Sequence, residues 1–194
     1  MPLPESLYMP SLESLPQNKN TLILNIAVCD GGPQDDILRR HFVNFVRLVD
    51  LSVSEYEKTR QFLQESLPDH ENRFNAVLSA VDHLELSVIT VRRALNAMQP
   101  IVRHRQSPPI NRTIKRALES FEGPLRDVRD SVVHIEERIS SGDMQEGDSH
   151  ALMVDTLGRT ASVGKDTISL ERLGIAIRML HEVASEFSVY RELK

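Results

Sequence analysis

The strongest constraint on the fold of this chain is an apolar seam along residues 74–102. Its members are separated alternately by three and four residues, which is the spacing of one face of an α-helix. They are Phe74, Val77, Val81, Leu84, Val88, Val91, Leu95, Met98 and Val102. So long a seam predicts a long antiparallel partner helix at a shallow crossing angle. Pro100 lies within the seam, and we expect it to kink or end the helix near Met98.

Three further segments carry the helical period. They cover about residues 35–67, residues 111–139 with an interruption expected at Gly123-Pro124, and about residues 170–190. Residues 151–170 change to a shorter period around a glycine, which predicts a β-hairpin. The sequence therefore predicts an all-α fold, a four-to-five-helix up-down bundle with a small β-hairpin before the last helix.

The N-terminal segment differs in composition from the helices. Prolines stand at positions 2, 4, 10 and 16, which is typical of an extended, poorly ordered arm. Residues 21–29 are mostly apolar and predict either a short strand or a segment that docks on the rest of the chain. We expect an extended arm over residues 1–34 and a single helical domain over residues 35–194.

The composition limits the environment and the partners. Hydrophobic residues make up 40% and charged residues 26% of the chain, as in ordinary globular proteins. We find no signal peptide and no apolar run long enough to cross a membrane, so we expect no membrane partner. A single cysteine, Cys29, cannot form an internal disulfide, so we expect a cytoplasmic protein. The net charge of -5 argues against indiscriminate nucleic-acid binding but permits a local basic site.

Charged residues are concentrated on the helix predicted over residues 125–139. Its apolar positions again alternate at three and four residues: Leu125, Val128, Val132, Ile135 and Ile139. Away from that stripe, Arg126, Asp130, His134 and Arg138 follow one another at intervals of four, with Arg129 beside Asp130. A carboxylate one turn from an imidazole can fix its tautomer, and a guanidinium can hold a phosphate.

Two parts of this helix carry a family resemblance. Arg129-Asp130-x-x-x-His134 resembles the Arg-polar-x-x-x-His signature of HEPN domains. Glu136-Glu137-Arg138-Ile139 is similar to the Glu/Asp-Glu-Arg-Ile ending of that helix in several HEPN subfamilies. The resemblance extends over about residues 35–190 in layout and is specific over about residues 124–139.

The resemblance implies a helical bundle that forms a homodimer through its motif helices. Many HEPN proteins cleave RNA without a metal ion, whereas others are non-catalytic RNA-binding or interaction modules. By this resemblance Arg129 would stabilise phosphorane charge, His134 would transfer protons and Asp130 would orient the site, with Arg126 as a supporting charge. The commonest family residue after the Arg is Asn, so the Asp130 carboxylate would weaken phosphate binding unless it pairs with Arg126 or His134.

This resemblance makes a metal-independent ribonuclease of a toxin or defence system the leading expectation. RNA would be its substrate, an antitoxin or other protein a further partner, and no cofactor or metal would be needed. An acidic loop holds Asp143, Glu146, Asp148 and His150, but its spacing matches no known metal-ligand loop, so we interpret it as a solvated surface loop.

A second set of basic residues lies between the second and third helical segments. Residues 101–116 contain no acidic side chain and include Arg103, Arg105, Arg112, Lys115 and Arg116. They indicate a surface that contacts the RNA phosphate backbone. The alternative is that Arg103 and Arg105 only complement the dipole at the end of the preceding helix. No aromatic residue is interleaved, so base stacking is not expected here.

Three other interpretations of the motif helix stay open. Its charges can be a surface ladder that slightly stabilises the helix, the chain can be a non-catalytic dimerisation module, or the bundle can bind a small phosphorylated ligand. A ribonuclease needs Arg129 and His134 exposed in a cleft that faces a second protomer. A structural module would leave them paired with Glu136, Glu137 or Asp127 on an open surface.

Overall fold

The protein is built mainly from helices. The computed structural model describes residues 9–66, 73–142, 151–155 and 159–192. Its helices are α1 (Asn18–Ala27), α2 (Asp36–Ser66), α3 (Arg73–Arg103), α4 (Arg112–Val133), α5 (Ile135–Ser141) and α6 (Leu170–Ser188). Between α5 and α6 lie β1 (Met153–Asp155), β2 (Thr160–Val163) and β3 (Asp166–Ser169). The mainly helical fold expected from the sequence is thereby confirmed.

The two longest helices, α2 and α3, pack side by side as an antiparallel pair. Glu55 contacts His83 and Ser52 contacts Ser87, so residue numbers fall along one helix as they rise along the other. The α3 seam is buried in this contact at Leu84, Val88 and further positions toward its end. Helix α2 is therefore the long antiparallel partner that the seam of α3 predicts.

Helix α6 closes the core against α2. The rings of Phe42 and Phe187 stack with their centroids 4.3 Å apart, and Phe45 adds a tilted contact to Phe187. Gly174 lies against the buried Tyr56 ring, where a Cβ atom would stand 2.7 Å from the phenol oxygen. Only a residue without a side chain lets α6 approach α2 this closely.

Neither proline ends its helix, so an end of α3 near Met98 and a new start of the motif helix at Pro124 are wrong. Helix α3 continues through Pro100 to Arg103, and α4 continues through Gly123-Pro124 to Val133. Each proline removes one backbone hydrogen bond, but fully buried Ile101 and Leu125 directly after them anchor the continuing helices in the core.

The N-terminal segment is packed and partly helical, and α1 stands where a short strand is one of the two predicted alternatives. The carboxylate of Asp50 on α2 accepts hydrogen bonds from the N–H groups of Asn18 and Lys19, at 3.1 and 2.8 Å, and so caps α1. Met9 and Leu12 are buried, so from residue 9 onward the chain is not a loose arm. The segment docks on α2 and α6, which is the second of the two predicted alternatives.

The predicted hairpin region forms a three-stranded antiparallel sheet in the order β1-β2-β3. Ala161 on the central strand pairs with Val154 on one side and Ile168 on the other. A turn at Gly164, whose φ of 57° favours glycine, separates β2 from β3, so the region has three strands where a hairpin has two. Buried Ala161 and Val163 hold the sheet on the core, and it packs against α4.

A buried carboxylate joins α2 to α3. Glu55 is 5% exposed, accepts a hydrogen bond from Lys58 Nζ at 2.8 Å and lies 2.6 Å from Nδ1 of His83. Burial raises the pKa of the Glu55 carboxyl, but the hydrogen bonds and charges of Lys58 and His83 outweigh burial. The pKa of Glu55 is therefore lowered from its ordinary value of 4.5.

Replacing one seam residue tests the α2–α3 contact. Leu84→Ala removes a fully buried side chain and should lower the free energy of unfolding by about 2–5 kcal/mol. Leu86→Ala, at a half-exposed position of the same helix, should change it by less than about 0.5 kcal/mol. Urea unfolding compares the two, and equal losses would contradict the burial pattern.

The buried carboxylate should make stability depend on acid pH. Because the pKa of Glu55 is lower in the folded chain, its stabilisation is fully present above its ordinary pKa of 4.5 and disappears as the pH falls through the folded value. Glu55→Gln should therefore lose less stability than the wild type between neutral and acid pH. Urea unfolding across that range measures this, with Glu119→Gln on the exposed face of α4 as the control expected to match the wild type.

Candidate functional site

The motif helix bends at His134. Helix α4 ends at Val133 and α5 begins at Ile135, and His134 between them has φ -104° and ψ 16°. Its N–H still donates to the carbonyl of Asp130, and its carbonyl accepts from the N–H of Arg138, both at 3.0 Å. The sequence predicts an interruption of the helix at Gly123-Pro124, but the interruption lies at His134. The histidine therefore stands at a turn of the chain between α4 and α5.

The residues of the predicted polar row have different neighbours. Arg126 is exposed and forms an ion pair with Asp127 at 3.0 Å. Arg138 instead donates from Nη1 to the buried Ser131 hydroxyl at 2.8 Å. The row predicted from four-residue spacing is therefore divided between an open surface and an inner polar contact.

Arg129 and Asp130 form a pair of their own. Arg129 Nη1 lies 2.7 Å from Asp130 Oδ1, and the two side chains are 37% and 46% exposed. From the sequence, Asp130 is harmless to phosphate binding only if it pairs with Arg126 or His134, and the structure pairs it with Arg129 instead. A phosphate that binds Arg129 must therefore compete with, or displace, this carboxylate.

The carboxylate that contacts the His134 ring belongs to Glu137. Nδ1 of His134 lies 3.1 Å from Glu137 Oε2, and the imidazole is 50% exposed. A carboxylate at Nδ1 favours the tautomer with its proton there, which leaves Nε2 as the basic nitrogen. The sequence assigns the orienting role to Asp130, whereas in the structure Glu137 is the carboxylate next to the ring.

A shallow cavity of about 510 Å³ adjoins the motif. It lies between α4, Arg138 of α5 and the β2–β3 turn, and it is lined by Asp127, Asp130, Ser131, Arg138, Lys165 and Asp166. At its base the Ser131 hydroxyl donates to Asp166 Oδ2 at 2.6 Å while it accepts from Arg138. Asp130 lines the cavity and also pairs with Arg129, so the cavity lies directly beside the motif residues.

The predicted basic set lies at the opposite end of α4. Arg112 begins the helix and His134 follows its end, so the 22-residue helix separates them by about 33 Å along its axis. Lys115 and Arg116 lie in the first turns, and Arg103 and Arg105 lie where α3 ends. Within one chain these cations and the Arg129–His134 motif do not form one cleft.

Four of the side chains around the motif were not predicted as site residues: Glu137, Ser131, Lys165 and Asp166. The sequence indicates Glu137 only as a pairing partner in a structural module, although it follows His134 at the three-residue spacing that brings helical side chains together. No local sequence pattern predicts Asp166, since it lies 35 residues after Ser131 in the chain. Only the docking of the sheet on α4 brings that carboxylate to the motif.

Comparison of the chain with models of known families, with curated proteins and with solved structures found no match. Within the described residues, no helix is long and apolar enough to cross a membrane. In the same part of the chain, no three His, Cys, Asp or Glu side chains are grouped as metal ligands. The acidic loop with Asp143, Glu146, Asp148 and His150 lies outside the described residues.

Ser131 tests how the sheet is joined to the motif helix. Ser131→Ala removes the hydroxyl that connects Arg138 with Asp166 and should lower the free energy of unfolding by about 1–3 kcal/mol. Urea unfolding measures the loss. Ser140→Ala, on the exposed side of α5, should change it by less than about 0.5 kcal/mol. A neutral Ser131→Ala would show that the connection contributes nothing.

Proposed function

We propose that the protein is an HEPN-like RNA-binding protein and a metal-independent ribonuclease of a toxin or defence system. The observation that carries this proposal is the accessibility of both motif side chains. The guanidinium of Arg129 is 37% exposed and the imidazole of His134, five residues later, is 50% exposed, so both are open to a ligand. The contact of His134 Nδ1 with Glu137 fits either function. An oriented imidazole and an Arg are the groups that cleavage of RNA by its own 2′-hydroxyl requires.

In the proposed reaction Nε2 of His134 takes the proton of the attacking 2′-hydroxyl. Glu137 holds the ring at Nδ1 and stabilises the imidazolium that forms. Arg129 leaves Asp130 and stabilises the negative charge of the phosphorane. The His134 of a second protomer would return a proton to the 5′-oxygen as it leaves.

Exposed apolar side chains beside the motif support its homodimerisation. Val133 precedes His134 and is 45% exposed, and Ile139 on α5 is 51% exposed. Both would lose water contact if two motif helices packed together, which favours association. In this proposal the pair of helices assembles the cleft, and an antitoxin or other protein would bind the same dimer.

The alternative function is a non-catalytic dimerisation module. The pairs Arg126–Asp127, Arg129–Asp130 and His134–Glu137 all lie on an open surface of the single chain. These are the contacts expected if the charges only stabilise the helix surface. The two functions share the dimer and differ in whether Arg129 and His134 act on RNA.

Cleavage of a mixed RNA substrate in EDTA separates the two functions. We expect the wild type to cleave, and His134→Ala to lower the rate by about 100-fold or more, because the proton acceptor is lost. Arg129→Ala should have a similar effect through loss of charge stabilisation. Asp130→Asn should bind RNA more tightly than the wild type, since it frees Arg129 from its carboxylate.

The controls keep the residue type and change the location. His41→Ala on α2 and Arg93→Ala on the exposed face of α3 should cleave at the wild-type rate. A dimeric wild type without activity would support the dimerisation module. Binding of nucleotides without cleavage would support the small-ligand interpretation, and activity unchanged in both motif variants would exclude Arg129 and His134 as the catalytic residues.

A further inference from the structure

The outer face of α2 is cationic although the chain is acidic overall. Between residues 37 and 54 its exposed side chains are Ile37, Arg40, Val43, Asn44, Arg47 and Leu51. The acidic residue of this stretch, Asp50, is buried and its carboxylate is occupied by the N–H groups that it caps on α1. Within this stretch the face therefore exposes two arginines and no carboxylate, and the exposed Asp36 one turn before Arg40 is paired with Arg39.

Arg40 and Arg47 are the arginines available to a ligand. Neighbouring Arg39 is occupied, because it donates to the carbonyls of Pro33 and Gln34 and pairs with Asp36. Among the described residues Arg40 has no hydrogen-bond partner, and Arg47 donates only to Asn44 on its own helix. The two lie two turns apart, about 10.5 Å along the axis, and border a groove of about 360 Å³.

Tertiary structure brings further cations to this face. His104 Nε2 lies 3.6 Å from Asp35 Oδ1, so the loop after α3 is held at the start of α2. Arg103, the last residue of α3, and Arg105 flank His104 in the sequence. Toward the other end of the face, Lys19 of α1, Arg47 and Asp50 line a common groove of about 190 Å³. Lys19 thus adds a cation to this face, and the loop after α3 lies at its start.

We infer that this face of α2, with Arg40 and Arg47 at its centre, binds the phosphate backbone of RNA. The inference rests on the proposed function and extends it, because it adds a binding surface remote from the motif. Exposed guanidinium groups attract the repeated charge of a phosphate backbone. The nearest carboxylates are occupied, Asp36 by Arg39 and Asp50 by the N–H groups of α1. The described face contains no exposed aromatic side chain, so contact is expected to be independent of base sequence.

The surface gives the predicted basic loop a structural role. Arg103 and Arg105 would continue the contact from α2 toward the start of α4. The start of α4 lies about 33 Å along the helix from His134, so RNA bound at the basic loop would be held away from the motif of the same chain. Backbone contact would retain the RNA while the motif acts on another part of it or while a partner protomer does.

Fluorescence anisotropy with a single-stranded 2′-O-methyl RNA tests the surface, since this RNA cannot undergo attack by its own 2′-hydroxyl. The full chain is titrated at several salt concentrations, and Arg40→Ala/Arg47→Ala is compared with the wild type. The double variant should bind more weakly at every salt concentration. Log affinity falls as log salt rises, and loss of two phosphate contacts should make this dependence shallower, reducing the magnitude of its slope by about 1.4.

Arg93→Ala is the matched control, an exposed arginine removed from the neighbouring helix α3, and should bind like the wild type. Thermal melting verifies that the variants are folded. Wild-type affinity and slope in the double variant, or no RNA binding by the wild type, would overturn the inference. So would equal weakening by Arg93→Ala. A double variant that loses binding to an acidic peptide but not to RNA would overturn it in favour of a protein partner.

The two proposals fail separately. Cleavage that depends on His134, together with RNA binding indifferent to Arg40 and Arg47, would overturn the α2 surface and leave the ribonuclease. Binding that depends on Arg40 and Arg47, without any cleavage, would support the surface and exclude the ribonuclease.

Discussion

The rest of the structure depends on the burial of the α3 seam against α2. This contact extends over two helices of 31 residues each and leaves little freedom in their register. The other elements pack against this helix pair. Helix α6 does so through the Phe42–Phe187 stack, and α4 through its contact with α3. The sheet then rests on α4, so the position of Asp166 beside the motif depends indirectly on the same seam.

The charged side chains of the motif are held only weakly in the single chain, because they lie on an exposed helix surface. Arg129, His134 and Arg126 each have a carboxylate partner close in sequence, and such surface pairs contribute little to stability. A bound phosphate or a second protomer can therefore rearrange them at small cost. The same low cost explains why both the ribonuclease and the dimerisation module fit this geometry, and why they differ only in what Arg129 and His134 contact in the assembled protein.

Helix α4 has a different role at each of its ends. Its start belongs to the cationic end of the bundle, where the loop after α3 meets α2 through His104 and Asp35. Its end carries Arg129 and the bend at His134. Because a helix is stiff over this distance, it keeps the two surfaces apart at a constant separation. The backbone contact proposed on α2 and the phosphate chemistry proposed at His134 would thus belong to different elements of the protein.

The sequence by itself determined the long helices, because the alternating seam of α3 and the stripe of α6 can be buried only as helices. It also placed Arg129 and His134 within one and a half turns of the same helical segment. Tertiary structure decided what local rules cannot: α1 is a helix because Asp50 caps it from α2, and α3 continues past Pro100 because Ile101 is buried. It also brought Asp166 to Ser131 and the basic loop to α2. These contacts join residues far apart in the chain, and packing, not sequence spacing, determines them.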